Sequence, residues 1–262
     1  MNKILLLLLI GLTLQTSVNS QVLSSLNKIV GKTGAYKSIE GEITNLGAET
    51  INSITLTATD GNKSWSENFT GLNIAPNAKA SFEMTQTVEL KNVERNISVA
   101  ISKINGKVNT DNTTNTVTAR GFDLQRPVVV EEATGTWCGF CVRGHVFMNK
   151  FGDLYPDYFI GIAVHNGDPM VVDAYDSGLN KYPKFPGYPS AIVSRDTFLD
   201  PADMEIPFLD AAAKPTEVDL SAKAIYDKNT NALTITATST PGKNLIAAKF
   251  FILTLANFYQ LL

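Results

Sequence analysis

The sequence predicts a multidomain protein: an all-β sandwich, then an α/β domain, then a short β region at the C-terminus. Three observations point there. Residues 36–118 alternate apolar and polar side chains between frequent turn signals. From Gly121 the texture changes to unbroken apolar runs separated by helix-periodic stretches, and from Val218 the two-residue period returns. The expected boundaries are 1–20 for a signal peptide, 21–120 for the sandwich, 121–214 for the α/β domain and 215–262 for a partial C-terminal β region.

The first twenty residues read as a secretory signal. Lys3 gives a basic start, Ile4 to Leu14 is almost wholly apolar, and Val18 and Ser20 are small residues where a signal peptidase reads. That run is well short of the ~20 residues of a membrane span. No cysteine follows it to take a lipid. A cleaved signal implies export, as a soluble or surface-associated protein, and an oxidising compartment in which a disulfide persists. The chain has 262 residues, with 22 Lys and Arg against 25 Asp and Glu, for a net charge of −3. There is no basic cluster, so neither nucleic acid nor an anionic membrane is an expected partner.

In the sandwich, "INSITLTATD" places Ile54, Leu56 and Ala58 on one face and Thr55, Thr57 and Thr59 on the other. "ISVAISKI" does the same with Ile97, Val99 and Ile101. "NLG", "DGN", "APNA" and "ING" supply turns. About seven short strands at this spacing read as a sandwich of immunoglobulin-like (Ig-like) type. The segments "EGEITNLGAETINSITLT", "FTGLNIAPNAKASFEM" and "NGKVNTDNTTNTVT" together resemble the cell-adhesion-related bacterial (CARDB-type) domain. That resemblance implies a surface-exposed module able to take a cell-surface partner.

In the α/β domain, Val128 to Val130 reads as a strand buried on both faces. After the cysteines, Val142, Val146, Phe147, Phe151 and Leu154 fall at helical spacing. "YFIGIAVHN" reads as a second buried strand, "PMVVDAYDSGLNKY" as part helix, "SAIVSR" as a third strand and "PADMEIPFLDAAA" as a closing helix. Strand–helix–strand implies a parallel pair. Beyond it, "VDLSAKAIYD", "KNTN" and "ALTITATST" form a hairpin signal, and "AAKFFILTLA" a third strand. Fewer than fifty residues are poor material for an independent sandwich, so an incomplete domain is expected there.

Function turns on "TGTWCGFC", which holds the chain's two cysteines, Cys138 and Cys141. A helix N-terminus lowers a thiol pKa, and a second thiol one turn further in can resolve a mixed disulfide. On that reading Cys138 attacks, Cys141 resolves, and Trp137 covers one side of the pair. An inert disulfide is the alternative, although so short a loop gains little from closure. A metal clip is the third reading. Only His145 and His165 are available to it, without finger spacing, so no metal and no organic cofactor are expected. His145 reads as a solvent-facing helix residue and Arg143 as either a local positive charge or a plain surface residue. His165 falls at the carboxyl end of a strand, near where sites form in open α/β sheets.

"VVVEEATGTWCGFC", then a helix, a strand and the X-Pro of "GYPSAIV", resembles the thioredoxin fold. With "IAVHNGDPM" and "FPGYPSAIVSR", the region from Pro127 to Leu255 resembles the outer-membrane-protein-28-related family, which has a thioredoxin-like core flanked by β domains. The resemblance implies that Glu132 is the buried proton acceptor for the second thiol, although Glu131 stands beside it. It also implies that Pro189 is cis and that Tyr188 and Pro189 present backbone to a substrate peptide. The expected function is thiol–disulfide exchange on exported proteins with thiols or disulfides. The alternative is a surface-located binding or adhesion protein in which the thioredoxin-like domain is structural.

Overall fold

The computed structural model describes residues 21–241 apart from Asn112 and Glu217. The expected signal peptide and the "AAKFFILTLA" strand lie outside the described residues. Two compact units are present. Of the described residues, the first takes 21–29, 36–89 and 94–119; the second takes 30–35, 90–93 and 120–241.

Among the described residues eleven strand segments precede Asp123. They are β1 (Gln21–Leu26), β2 (Ile29–Lys32), β3 (Tyr36–Lys37), β4 (Glu40–Asn45), β5 (Ile51–Asp60), β6 (Lys63–Ile74), β7 (Lys79–Glu83), β8 (Val88–Glu89), β9 (Arg95–Ile104), β10 (Lys107–Val108) and β11 (Thr114–Phe122). The excess over about seven comes largely from three two-residue pieces, β3, β8 and β10. One sheet runs β1-β4-β7, a larger one runs β2-β11-β9-β5-β6 with β10 on β9, and β3 pairs with β8.

The alternation in the sequence is the alternation of the sheet. Ile54, Leu56 and Ala58 on β5 and Ile97, Val99 and Ile101 on β9 are all buried. Phe69 of β6 meets Phe82 of β7 edge-on, with ring centroids 6.1 Å apart, and so links the two sheets. On the other face of β5 the threonines form a hydroxyl ladder to β6. Thr55 donates to Asn68 at 3.2 Å, Thr57 meets Ser66 at 2.8 Å and Thr59 donates to Ser64 at 3.2 Å. Cross-strand hydroxyl pairs of this kind suit β-branched threonine on a solvated face.

The second unit is built on β12 (Val128–Thr134), α1 (Val142–Leu154), β13 (Phe159–His165), α2 (Asp173–Asn180), β14 (Ser190–Val193), β15 (Phe198–Leu199) and α3 (Glu205–Ala212). The strand order is β13-β12-β14-β15. β12 and β13 are parallel, while β14 is antiparallel to both β12 and β15. Each face of β12 meets a different core. Val128 and Val130 pack with Met148 and Phe151 from α1, with Tyr155 just after it, and with Phe208 and Leu209 from α3. Ala133 packs on the opposite side with Ile192 and with Tyr175 and Leu179 from α2. Phe151, Tyr155, Phe159 and Phe208 interlock at centroid distances of 5.1–5.8 Å. Val30 and Phe122 join this core, which is why short stretches of the expected 21–120 sandwich belong to the second unit.

Two expectations for this domain change. β13 is an edge strand, not a buried one; its Ile160 is exposed, and most of its residues reach solvent. Edge position explains this, since among the described residues only β12 flanks it. In α1 the buried face is Gly144, Met148 and Phe151, whereas Val142, Val146 and Leu154 are exposed. Of the expected stripe Phe151 is buried and Phe147 packs against the same core, while the other three do not, because the helix approaches the sheet through Gly144. Residues 218–241 form a two-stranded hairpin, β16 (Val218–Asp227) and β17 (Ala232–Pro241), whose described side chains are largely exposed. Among the described residues no helix is long and apolar enough to cross a membrane.

Candidate functional site: a disulfide at the head of a helix

The site grows from the carboxyl end of β12. After Thr134 the chain makes a turn in which the Cys138 N–H donates to the Gly135 carbonyl at 3.0 Å. A second turn brings the Cys141 N–H to the Cys138 carbonyl at 3.1 Å, and Cys141 is the residue that caps α1. Cys138 and Cys141 are joined by a disulfide with Cα atoms 5.4 Å apart. The two sulfur-bearing residues differ in access: Cys138 is half-buried, whereas Cys141 is buried. Phe140, between them, is 85% exposed.

Behind the helix start lies Glu132. Glu131 and Glu132 are both buried, at 1% and 2% exposure, so burial alone does not choose between them. Direction does. Neighbours on a strand point to opposite faces, and Glu132 points to the α1 side. Its carboxylate lies against the backbone of Gly144, where a Cβ would stand 2.1 Å from Oε1. A Cβ at this position, in the first turn of α1, would have to displace the Glu132 carboxylate, and glycine leaves room for it. Oε1 of Glu132 has no hydrogen-bond partner among the described residues, and burial pushes its pKa up to about 7.

Glu131 points the other way and is paired. The Arg195 guanidinium grips it at 2.8 and 3.0 Å, and the Tyr175 hydroxyl donates to it. Burial, followed by the hydrogen bond to Glu131, pushes the Tyr175 hydroxyl up to about 12. Ser194 and Arg195 both take positive φ in the turn after β14. Arg195 tolerates that conformation while its side chain neutralises a charge inside the sheet.

The remaining expected residues gather at the same end of the sheet. The Tyr188–Pro189 bond is cis, and Pro189 directly precedes Ser190, which pairs with Ala133 near the end of β12. Trp137 stands edge-on to Tyr188 with centroids 5.3 Å apart, and its indole N–H donates to the Asn166 carbonyl at 2.6 Å. Trp137 is 55% exposed. Cys138, Cys141, Glu132, Trp137, Tyr188 and Pro189 are thus all placed by β12, the first turn of α1 and the lead into β14.

His165 ends β13 opposite Thr134. Its Nδ1 lies 2.7 Å from Asp168 Oδ2. Asp168 also accepts the Thr136 N–H and the Met170 N–H, both at 2.8 Å. Burial works against its charge, but the bonds from His165, Thr136 and Met170 outweigh burial and hold its pKa to about 2. A carboxylate that stays ionised only accepts, so His165 Nδ1 is the donor. His145 is exposed and meets Asn149 at 3.1 Å. Arg143 is tied to Asp200 at 2.6 Å.

Gly144, Asn166 and Asp168 were not among the expected site residues. "HNGDP" reads in sequence as a turn after a strand, and nothing in its composition says that its carboxylate folds inward. Among the described residues no cluster of His, Cys, Asp or Glu could hold a metal ion.

No family model matches the chain, and no curated protein matches it. Two solved structures are similar to part of it. One is a domain, residues 272–376, assigned to a cell surface protein of Methanosarcina acetivorans, at 15% identity and a TM-score of 0.33, covering 40% of this chain and 92% of that one. The other is the CARDB domain of a Pyrococcus furiosus protein in complex with di-metal ions, at 15% identity and a TM-score of 0.25, covering 37% of this chain and 86% of that one. At such scores neither neighbour bears on function.

Proposed function

We propose that the protein is an exported thiol–disulfide oxidoreductase acting through Cys138 and Cys141. One observation carries this reading: the disulfide couples a half-buried cysteine to a buried one, and beneath the helix that starts there lies Glu132, whose Oε1 has no partner among the described residues and whose pKa is pushed up to about 7. A structural disulfide needs neither the asymmetry nor the carboxylate. The strand order β13-β12-β14-β15, parallel on one side of β12 and antiparallel on the other, supports a thioredoxin-like domain.

The oxidised pair accepts electrons from a substrate dithiol. A substrate thiolate attacks the accessible Cys138 sulfur, a mixed disulfide forms, and Cys141 leaves as a thiolate. Glu132, titrating near neutral pH, is suited to give that thiolate a proton. The second substrate thiolate then attacks the substrate sulfur of the mixed disulfide. Substrate leaves as a disulfide, and Cys138 leaves as the thiolate of a reduced pair. In the reverse direction Cys138 attacks a substrate disulfide and Cys141, deprotonated by Glu132, resolves the mixed species. Electrons pass between sulfurs, so the exchange itself calls for no organic cofactor. Trp137, Tyr188 and Pro189 form the surface to which a peptide substrate would bind. The sandwich is the module left for a cell-surface partner.

Alkylation of the reduced protein as a function of pH tests the assignment. Cys138 is expected to react with an apparent pKa below the ~8.5 of a free thiol, and Cys141 more slowly. A Cys138 value near ~8.5 would return the protein to the binding-protein alternative.

A further inference from the structure

We propose that Asp168 is a positioning residue for Cys138, holding the loop that presents the accessible sulfur; this deepens the exchange reading and rests on it. The Asp168 side chain is only 2% exposed, yet it carries a full charge. It gathers three donors: the Thr136 N–H and His165 Nδ1 on Oδ2, and the Met170 N–H on Oδ1. Thr136 is the decisive partner because it lies two residues before Cys138, inside the turn closed by the Cys138 N–H and the Gly135 carbonyl. A buried charged carboxylate that fixes a backbone N–H is a stiff anchor, since charge-assisted bonds are stronger than neutral ones.

The anchor is reinforced on both sides. The Asn166 N–H donates to the Thr134 carbonyl at 3.0 Å, and the Asn166 carbonyl accepts the Trp137 indole. Gly135 admits this approach, since a Cβ there would lie 2.6 Å from the Trp137 indole nitrogen and 3.2 Å from the Asn166 carbonyl. Gly167, at φ +57°, turns the chain so that Asn166 and Asp168 both face the cysteine loop. The Asn166 side chain extends the frame to α2 through Asp176, and Asn180 links Asp176 to the Tyr188 hydroxyl. The turn after β13 therefore sets Trp137 and the approach to Cys138 together.

Attack on a disulfide is directional, because the nucleophile must come in line with the bond that breaks. Alkylation by a small electrophile makes little such demand and follows the thiolate fraction. Positioning and thiolate formation are thereby separable. The experiment uses the reduced full chain and compares two rates at each pH: exchange with a disulfide-bonded model peptide, and alkylation by iodoacetamide. Asp168→Ala is expected to slow peptide exchange about ten-fold or more, since small misplacements of reacting groups have effects of that order, and to leave the alkylation pH profile in place. Asp168→Asn, which keeps the shape and one acceptor oxygen, is expected to fall between Asp168→Ala and the parent. It also serves if the alanine variant does not fold. Exchange within two-fold of the parent in a folded Asp168→Ala protein, or in Asp168→Asn where the alanine variant does not fold, would overturn the proposal. So would an equal loss in both rates together with a loss of thermal stability, which marks a purely structural role. A parent protein that exchanges no faster than a free thiol would instead overturn the oxidoreductase reading and the positioning role with it.

Discussion

Glu132 joins the stability of the domain to the chemistry proposed for its disulfide. Its pKa is raised by burial from 4.5 to about 7. The folded chain therefore holds this proton more tightly than the unfolded chain does. Stability is fullest below the unfolded value and is lost as pH climbs through about 7. At about 1.4 kcal/mol per unit the loss is on the order of 3 kcal/mol. Glu132→Gln is expected to flatten the pH dependence between 4.5 and about 7 and to raise the thermal midpoint at pH ~8, where the parent bears the full cost of a buried charge. The same variant should slow disulfide resolution if Glu132 serves Cys141. Thermal melts across pH, beside exchange rates, check both; a parent melting point independent of pH in that window would contradict the burial argument. The sequence narrowed the acid to Glu131 or Glu132. Strand alternation put them on opposite faces, but only the glycine contact at 144 and the Arg195 fork show what each one meets.

At the scale of elements, β12 is the strand on which everything depends. It is flanked on both edges and sends one carboxylate into each core. The Glu131 side is stable only while its charge is answered. Arg195→Ala would leave a carboxylate at 1% exposure with the Tyr175 hydroxyl as its remaining donor from this group. Breaking a buried pair from one side destabilises by about 3–5 kcal/mol, and the exposure of Arg195 itself lowers the expectation to about 2 kcal/mol. Chemical denaturation measures this directly, and Glu131→Gln in the same chain should recover most of the loss. An Arg195→Ala protein as stable as the parent would show that Glu131 is adequately satisfied by Tyr175. The same strand explains what was legible. Periodicity found β5 and β9 because each has one apolar face. In α1 it found Phe147 and Phe151 but missed Gly144, because glycine carries no hydropathy signal, and it misjudged β13 because a run of apolar residues looks alike at an edge and in the middle of a sheet.

At the scale of the whole molecule, the change from mostly strands to mixed helices and strands among the described residues was legible, because secondary-structure period is a local property. Residues 30–35 and 90–93 escaped it, because their place with the second unit depends on tertiary packing of side chains such as Val30. The candidate site was legible where chemistry is written in adjacent residues, as in "TWCGFC". It was not legible where a turn thirty residues away folds a carboxylate under the loop, as Asp168 does. The central claim is that the pair exchanges disulfides through one accessible sulfur. Capture of partners by single-cysteine variants of the full chain tests it most directly. Cys141→Ser keeps the accessible thiol and removes the resolving one, so mixed disulfides with exported proteins are expected to accumulate and to run as reducible adducts on a gel. Cys138→Ser is expected to capture none. Equal behaviour of the two variants, with no adducts from either and equal losses of stability, would contradict the account and leave the disulfide as a structural link.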